Sequence, residues 1–320
     1  MTRTVYTFIV VLGAAVMLGS AGCAQQQPSA TGVASKPAGV GIDGAPDADA
    51  PLPARPGDIV GYTNSITGRY PDIDAVAAQS VAASYRSTSG VDDAATVVSG
   101  TFFVPRGTAP ADGWPVVALA HATIGLSNGC GPSMRPDLGG YAGEVVALLN
   151  RGFAVALTDY QGLGRSGVHP YLEPVTAAHN VIDSVRALRR IDDAASAQWA
   201  GWGASQGGQA IWAATELAGE YGSDLHMVGG VAQAPVSDMT AMVDGATKGT
   251  LTAGQRVLYP LVVVGAARSE PTVVDEGSCS PCRRRPPTTS SAARTPPGSA
   301  PSGGPVPADR SLSTAATASW

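Results

Sequence analysis

Ser205 stands at the centre of Gly203-Ala204-Ser205-Gln206-Gly207, a Gly-x-Ser-x-Gly pentad. Glycines two places before and two places after a serine let a strand and a helix approach closely and hold the serine on a tight turn. A hydroxyl presented in that way can attack a carbonyl carbon, so the chemistry on offer is acyl transfer through a covalent serine intermediate. The pentad alone is a weak signal in a chain with 40 glycines, and its setting is what raises it. A strand-like run from Gln198 to Gly203 precedes it, and a helix-like run from Gln206 to Tyr221 follows. The bland alternative is a glycine-rich turn whose serine only caps the helix.

Such a serine needs donors for the negative charge that develops on the carbonyl oxygen. One is the backbone N–H of the next residue, Gln206, at a helix N-terminus that itself favours negative charge. The second comes from a loop at the end of a neighbouring strand. The loop His121-Ala122-Thr123-Ile124-Gly125 follows the apolar strand Val116 to Ala120, so the Ala122 N–H is the expected second donor and that of Thr123 the next choice. His121 is read as a brace for this loop.

The elements that must position these residues follow from hydrophobic periodicity and turn signals. Val81 to Ser87 and Thr96 to Val104 read as strands joined by Ser89-Gly90-Val91-Asp92-Asp93. Tyr141 to Asn150 and Ala177 to Ile191 have helical spacing, Phe153 to Leu157 is a strand, and Val228 to Ala234 is another. Strands alternating with helices imply a mostly parallel sheet covered on both faces, an α/β fold.

Three ordered stretches now carry a family resemblance: His121-Ala-Thr-Ile-Gly with Cys130-Gly-Pro-Ser133; Thr158-Asp-Tyr-Gln-Gly-Leu-Gly164 with His169-Pro-Tyr171; and Gly201-Trp-Gly-Ala-Ser-Gln-Gly207. Together they resemble the secretory lipase family from about residue 80 to about residue 280. The resemblance implies an α/β-hydrolase core with a helical cap inserted after the sixth strand. It also implies carboxylic-ester hydrolysis of lipids or small esters without a cofactor. A bond between Cys130 and a cap cysteine is implied too, with Cys279 the better placed. The family's loop more often reads His-Gly-Thr, so Ala122 is a departure that keeps the N–H but restricts the backbone.

A larger departure concerns the partners of Ser205. In this fold the order along the chain is serine, acid, histidine, and His226 is the one histidine after Ser205. It precedes the strand Val228 to Ala234 and so belongs at the opposite sheet edge, ~17 Å away for a five-residue strand. His169 and His121 belong on the correct side, without the usual order. Asp238 follows the last strand at the correct edge and is a weak candidate for the acid. Residues 235–276 read as a partial helical cap, whereas 277–320, with Arg283-Arg-Arg-Pro-Pro-Thr-Thr-Ser-Ser, hold almost no large apolar side chains and read as a disordered tail. The expectation is a truncation or frameshift that replaced the last strands with the triad acid and histidine, against a natural tail on a shorter enzyme.

The N-terminus reads as an export signal. Arg3 precedes an apolar run from Phe8 to Leu18, followed by Gly19-Ser20-Ala21-Gly22-Cys23. Eleven residues fall short of the roughly 20 that span a bilayer, and small residues before a cysteine match a lipoprotein processing site, with Cys23 the lipidated residue. Residues 24–56, rich in Gln, Pro, Ala and Gly, read as a tether, and 57–234 as the core domain. This places the protein in the cell envelope, lipid-anchored outside the cytoplasmic membrane, or secreted. In such a compartment Cys130, Cys279 and Cys282 allow one disulfide and one free thiol. Cys279-Ser-Pro-Cys282 has no second pair and no nearby histidine, so no metal is expected. A net charge of −5 with 14% charged residues argues against a nucleic-acid partner.

These readings converge on an exported serine ester hydrolase whose activity is compromised by the missing acid and histidine. The alternatives are a non-catalytic lipid-binding envelope lipoprotein and a non-functional fragment.

Overall fold

The computed structural model describes residues 55–61, 63–270 and 272. The leader with Cys23, most of the tether, Cys279, Cys282 and the 277–320 tail lie outside the described residues.

Seven strands form one sheet in the order β1-β2-β3-β5-β4-β6-β7. They are β1 (Asn64–Ser65), β2 (Ala77–Thr88), β3 (Ala95–Pro105), β4 (Trp114–Ala120), β5 (Ala154–Thr158), β6 (Ala195–Ala204) and β7 (His226–Gln233). The helices are α1 (Pro71–Asp74), α2 (Ala142–Leu149), α3 (Pro174–Ile191), α4 (Gln206–Leu217), α5 (Thr240–Thr247) and α6 (Ala253–Ser269). The sheet is mixed. β5, β4, β6 and β7 pair in parallel, as alternating strands and helices require, whereas β1, β2 and β3 add an antiparallel flank. The short Ser89–Ala94 connection returns β3 alongside β2, with Ser84 opposite Ser99 and Tyr85 opposite Val98.

The central strands are apolar on both faces because both faces are covered. In β4, Val116, Ala118 and Ala120 join one core cluster while Val117 and Leu119 join the other; in β5, Ala154 and Ala156 are separated in the same way from Val155 and Leu157. Successive side chains of a strand point to opposite faces, and this alternation divides them. Helices α3 and α4 cover the first face through Val181, Ile182, Val185, Leu188, Ala210, Ile211 and Ala214. On the second, α1 and α2 contribute Ile73, Val145 and Leu149. Each fully buried Val, Ile or Leu contributes roughly 1.5–3 kcal/mol, so these four contacts of α3 fix its position. That helix starts three residues earlier than its periodicity indicates. Pro174 supplies a pre-set φ at its first turn, and the Glu173 carboxylate accepts from the N–H groups of Val175 and Thr176.

Cover is thinnest at β7. Val228 and Val231 are exposed, and α5 buries no residue. No helix among the described residues is long and apolar enough to cross a membrane.

Candidate active site

Ser205 occupies the turn between β6 and α4 with φ 56° and ψ −117°. A positive φ is uncommon for a residue with a Cβ, and a backbone held in so sparse a region costs of order 1–3 kcal/mol. The surroundings enforce it. The Ser205 N–H donates to Gln233 O (3.0 Å) on β7, and Ser205 O accepts from the Gln209 N–H (3.0 Å) one helical turn on. The flanking glycines are required by contact: a Cβ on Gly203 would run into Gly207 O, and one on Gly207 would run into Ala120 O at the end of β4. The chain must fold this way to bring α4 onto β4, and the serine is left half-exposed at the strand ends, with the first N–H groups of α4 beside it.

Ala120 pairs with Gly203 across β4 and β6, so the loop that follows β4 leaves the sheet beside the serine turn. The Ala122 N–H, expected as an oxyanion donor, donates to Tyr141 Oη at 2.8 Å. Thr123 Oγ1 lies 2.7 Å from Tyr171 Oη. The Tyr141 hydroxyl is the residue that the sequence reading missed; periodicity shows where a helix starts and says nothing of what the aromatic before it reaches.

His121 and His169 both lie on this side, with their ring nitrogens facing groups other than Ser205. His121 is buried with Nδ1 2.7 Å from Ala122 O and Nε2 3.2 Å from Asp159 O, its ring tilted against that of Tyr160 with centroids 4.3 Å apart. Burial pushes its pKa down to about 4. It braces the loop, as read from the sequence. His169 has Nδ1 2.9 Å from Gln161 O, which can only accept, so Nδ1 carries the proton. Its Nε2 therefore accepts from Gln206 Nε2 at 3.0 Å. Burial lowers its pKa to about 3. The remaining histidines are remote from this chemistry. His179, on α3, stacks on Tyr221 at 3.7 Å and faces Thr88 O. His226 begins β7 opposite Gln198 near the start of β6, at the far edge from Ser205.

Two carboxylates merit comparison. Asp238 is exposed, and hydrogen bonding from the Thr240 hydroxyl and from the Thr240 N–H holds its pKa below the usual carboxylate range. Asp159 is fully buried at the end of β5. Desolvation pushes its pKa up, opposed by hydrogen bonds from the Ser133 N–H (2.8 Å), the Ser133 hydroxyl and the Ser99 hydroxyl (2.6 Å). Those bonds tie the loop after β4 to β3, and the carboxylate contacts no histidine; only its main-chain oxygen meets His121. Cys130, in that same loop, is disulfide-bonded; Cys279, its expected partner, lies outside the described residues. No group of three or more His, Cys, Asp or Glu side chains able to hold a metal ion occurs among the described residues.

With the geometry in view, likeness to known proteins is informative. The chain resembles the Mycobacterium tuberculosis (strain CDC 1551 / Oshkosh) protein named "Probable inactive lipase MT1628", at 32% identity over 199 residues. The match takes in 58% of this chain and 43% of that protein, so less than half of the relative's length is spanned. Among solved structures, the rice cell wall degrading esterase LipA from Xanthomonas oryzae superposes with a TM-score of 0.55 at 20% identity, covering 68% of this chain and 62% of LipA. Candida antarctica lipase A superposes with a TM-score of 0.52 at 17% identity, covering 68% and 50%. At these identities the structures establish the fold, which is that of the α/β hydrolases. The description of the family whose model matches residues 142–276 is "Secretory lipase". That stretch, with the serine turn near its centre, matches the secretory lipase family, and the fold around it is that of the α/β hydrolases.

Proposed function

We propose that this chain is a serine ester hydrolase of reduced power, with Ser205 as the nucleophile. The supporting observation is the strained backbone of Ser205, held between Gln233 O and the first turn of α4 with no room for a Cβ at Gly203 or Gly207. Ser205 attacks the ester carbonyl, the alcohol leaves, and water releases the acid. The oxyanion is held by the Gln206 N–H, joined by that of Ala122 once Tyr141 gives it up. A general base typically contributes about 10²–10⁴-fold. The ring nitrogens of His121 face two carbonyl oxygens and those of His169 are both hydrogen-bonded, so neither ring is turned to the serine proton and hydrolysis is slow. A lipid or small ester is the substrate class, no cofactor takes part, and the protein is exported, either lipid-anchored at Cys23 outside the cytoplasmic membrane or secreted.

A fluorophosphonate that traps serine nucleophiles tests this. Mass spectrometry should find the label on the peptide containing Ser205 and none on the Ser205→Ala chain; equal labelling of both would remove Ser205 from the role.

The engaged histidines also favour a second reading, a lipid-binding envelope protein without turnover. Fatty acid would then bind equally to the chain and to Ser205→Ala, and neither would hydrolyse an ester.

A further inference from the structure

Behind the serine turn lies a small cavity bounded by Gln161, His169, Glu173, Asn180, Gln206 and Gln209. It has about 10 Å³ of space for the centre of a water molecule, close to one water's worth. Most polar groups around it are satisfied. Glu173 accepts from two backbone N–H groups, both ring nitrogens of His169 are engaged, and the Asn180 amide bonds Ser87 Oγ and the Gln161 N–H. Three atoms differ: Gln161 Oε1, Gln206 Oε1 and Gln209 Oε1 are buried and accept no hydrogen bond from any described residue.

Two of these amides are fixed in orientation by what their nitrogens do. Gln206 Nε2 donates to His169 Nε2, and Gln209 Nε2 donates to Leu172 O at 3.3 Å. Turning either amide over would set an oxygen against an acceptor. Gln206 is 2% exposed, so bulk water cannot reach its oxygen. Buried amide oxygens lining one cavity call for a donor, since an unpaired buried acceptor carries its full desolvation penalty.

We propose that this cavity binds one water molecule, which donates its two hydrogens to two of the three glutamine oxygens of Gln161, Gln206 and Gln209. Water fits better than a cation. The room is that of a single water, and the one carboxylate nearby, Glu173, has both oxygens committed to backbone N–H groups, so a buried positive charge would go unbalanced. The water joins the first turn of α4 to the loop after β5 and steadies the segment that presents Ser205. The site stands whether or not Ser205 turns over an ester.

A crystal structure of the chain at atomic resolution tests this. The expected result is a fully occupied peak at hydrogen-bonding distance, about 2.7–3.2 Å, from at least two of the three oxygens. Loss of the peak in a Gln209→Met variant that keeps the same fold is expected as well. A cavity with no density, or an anomalous peak there after soaking in rubidium chloride, would overturn the proposal.

Discussion

Gln206 Nε2 lies 3.0 Å from His169 Nε2. The pairing joins the residue after Ser205 to a histidine that sequence order leaves in doubt, and it occupies that histidine's remaining ring nitrogen. With Nδ1–H given to Gln161 O, the one lone pair of the ring is spent on a glutamine amide. His169 positions Gln206, and so the N–H beside Ser205, and does not take the proton of the serine.

This arrangement has a pH signature. The His169 pKa is lowered by burial to about 3, against 6.5 when unfolded. Below pH 6.5 the unfolded chain takes up a proton at this site that the folded chain refuses. Its contribution is therefore fully present above 6.5 and declines toward pH 3, by about 1.4 kcal/mol per pH unit. Asp159 and Asp183 shift upward by burial and act in the opposite sense, so the comparison must be differential. The stability advantage of the wild-type chain over His169→Gln, from urea melts, should shrink steadily between pH 7 and pH 5. A constant difference would mean that His169 is not held neutral.

Tyr141 restrains the expected oxyanion donor. Replacing it with Phe frees the Ala122 N–H while keeping the ring against Trp202, 6.2 Å away. One oxyanion donor is worth up to about 10²–10³ in rate. Tyr141→Phe should thus raise Ser205-dependent kcat/KM, with that factor as the ceiling. A fall would make the tyrosine hydroxyl itself the useful donor.

The strain at the serine turn is measurable in stability. Ser205→Gly relieves a positive φ worth of order 1–3 kcal/mol and costs roughly 0.5–1 kcal/mol in chain entropy. It should melt above Ser205→Ala, which keeps the strain. Gly207→Ala should lose at least the ~1–3 kcal/mol of an overpacked core, because its Cβ meets Ala120 O. Equal melting of Ser205→Gly and Ser205→Ala would remove the strain from the account.

Much of this was legible in the sequence because it rests on local pattern. The pentad at 203–207, the apolar runs of β4 and β5 and the spacing of α3 each follow from what one residue and its near neighbours dictate. The position of His226 at the far sheet edge could also be read, since it needs only the direction of one strand. What escaped depends on contacts distant in sequence: Tyr141 reaching Ala122, Asp159 gathering Ser99 and Ser133, and Gln206 occupying His169. No periodicity encodes which of several hydroxyls or amides will meet a given N–H. The antiparallel flank was half-visible, because its hairpin was evident and its place beside β5 was not.

The most direct test of the central claim is hydrolysis of a short-chain p-nitrophenyl ester by the purified chain, beside Ser205→Ala and His169→Ala. The account expects slow hydrolysis that disappears in Ser205→Ala and falls less than about tenfold in His169→Ala, well short of the 10²–10⁴-fold of a lost general base. Hydrolysis that survives in Ser205→Ala, or that collapses by the full factor in His169→Ala, would contradict it.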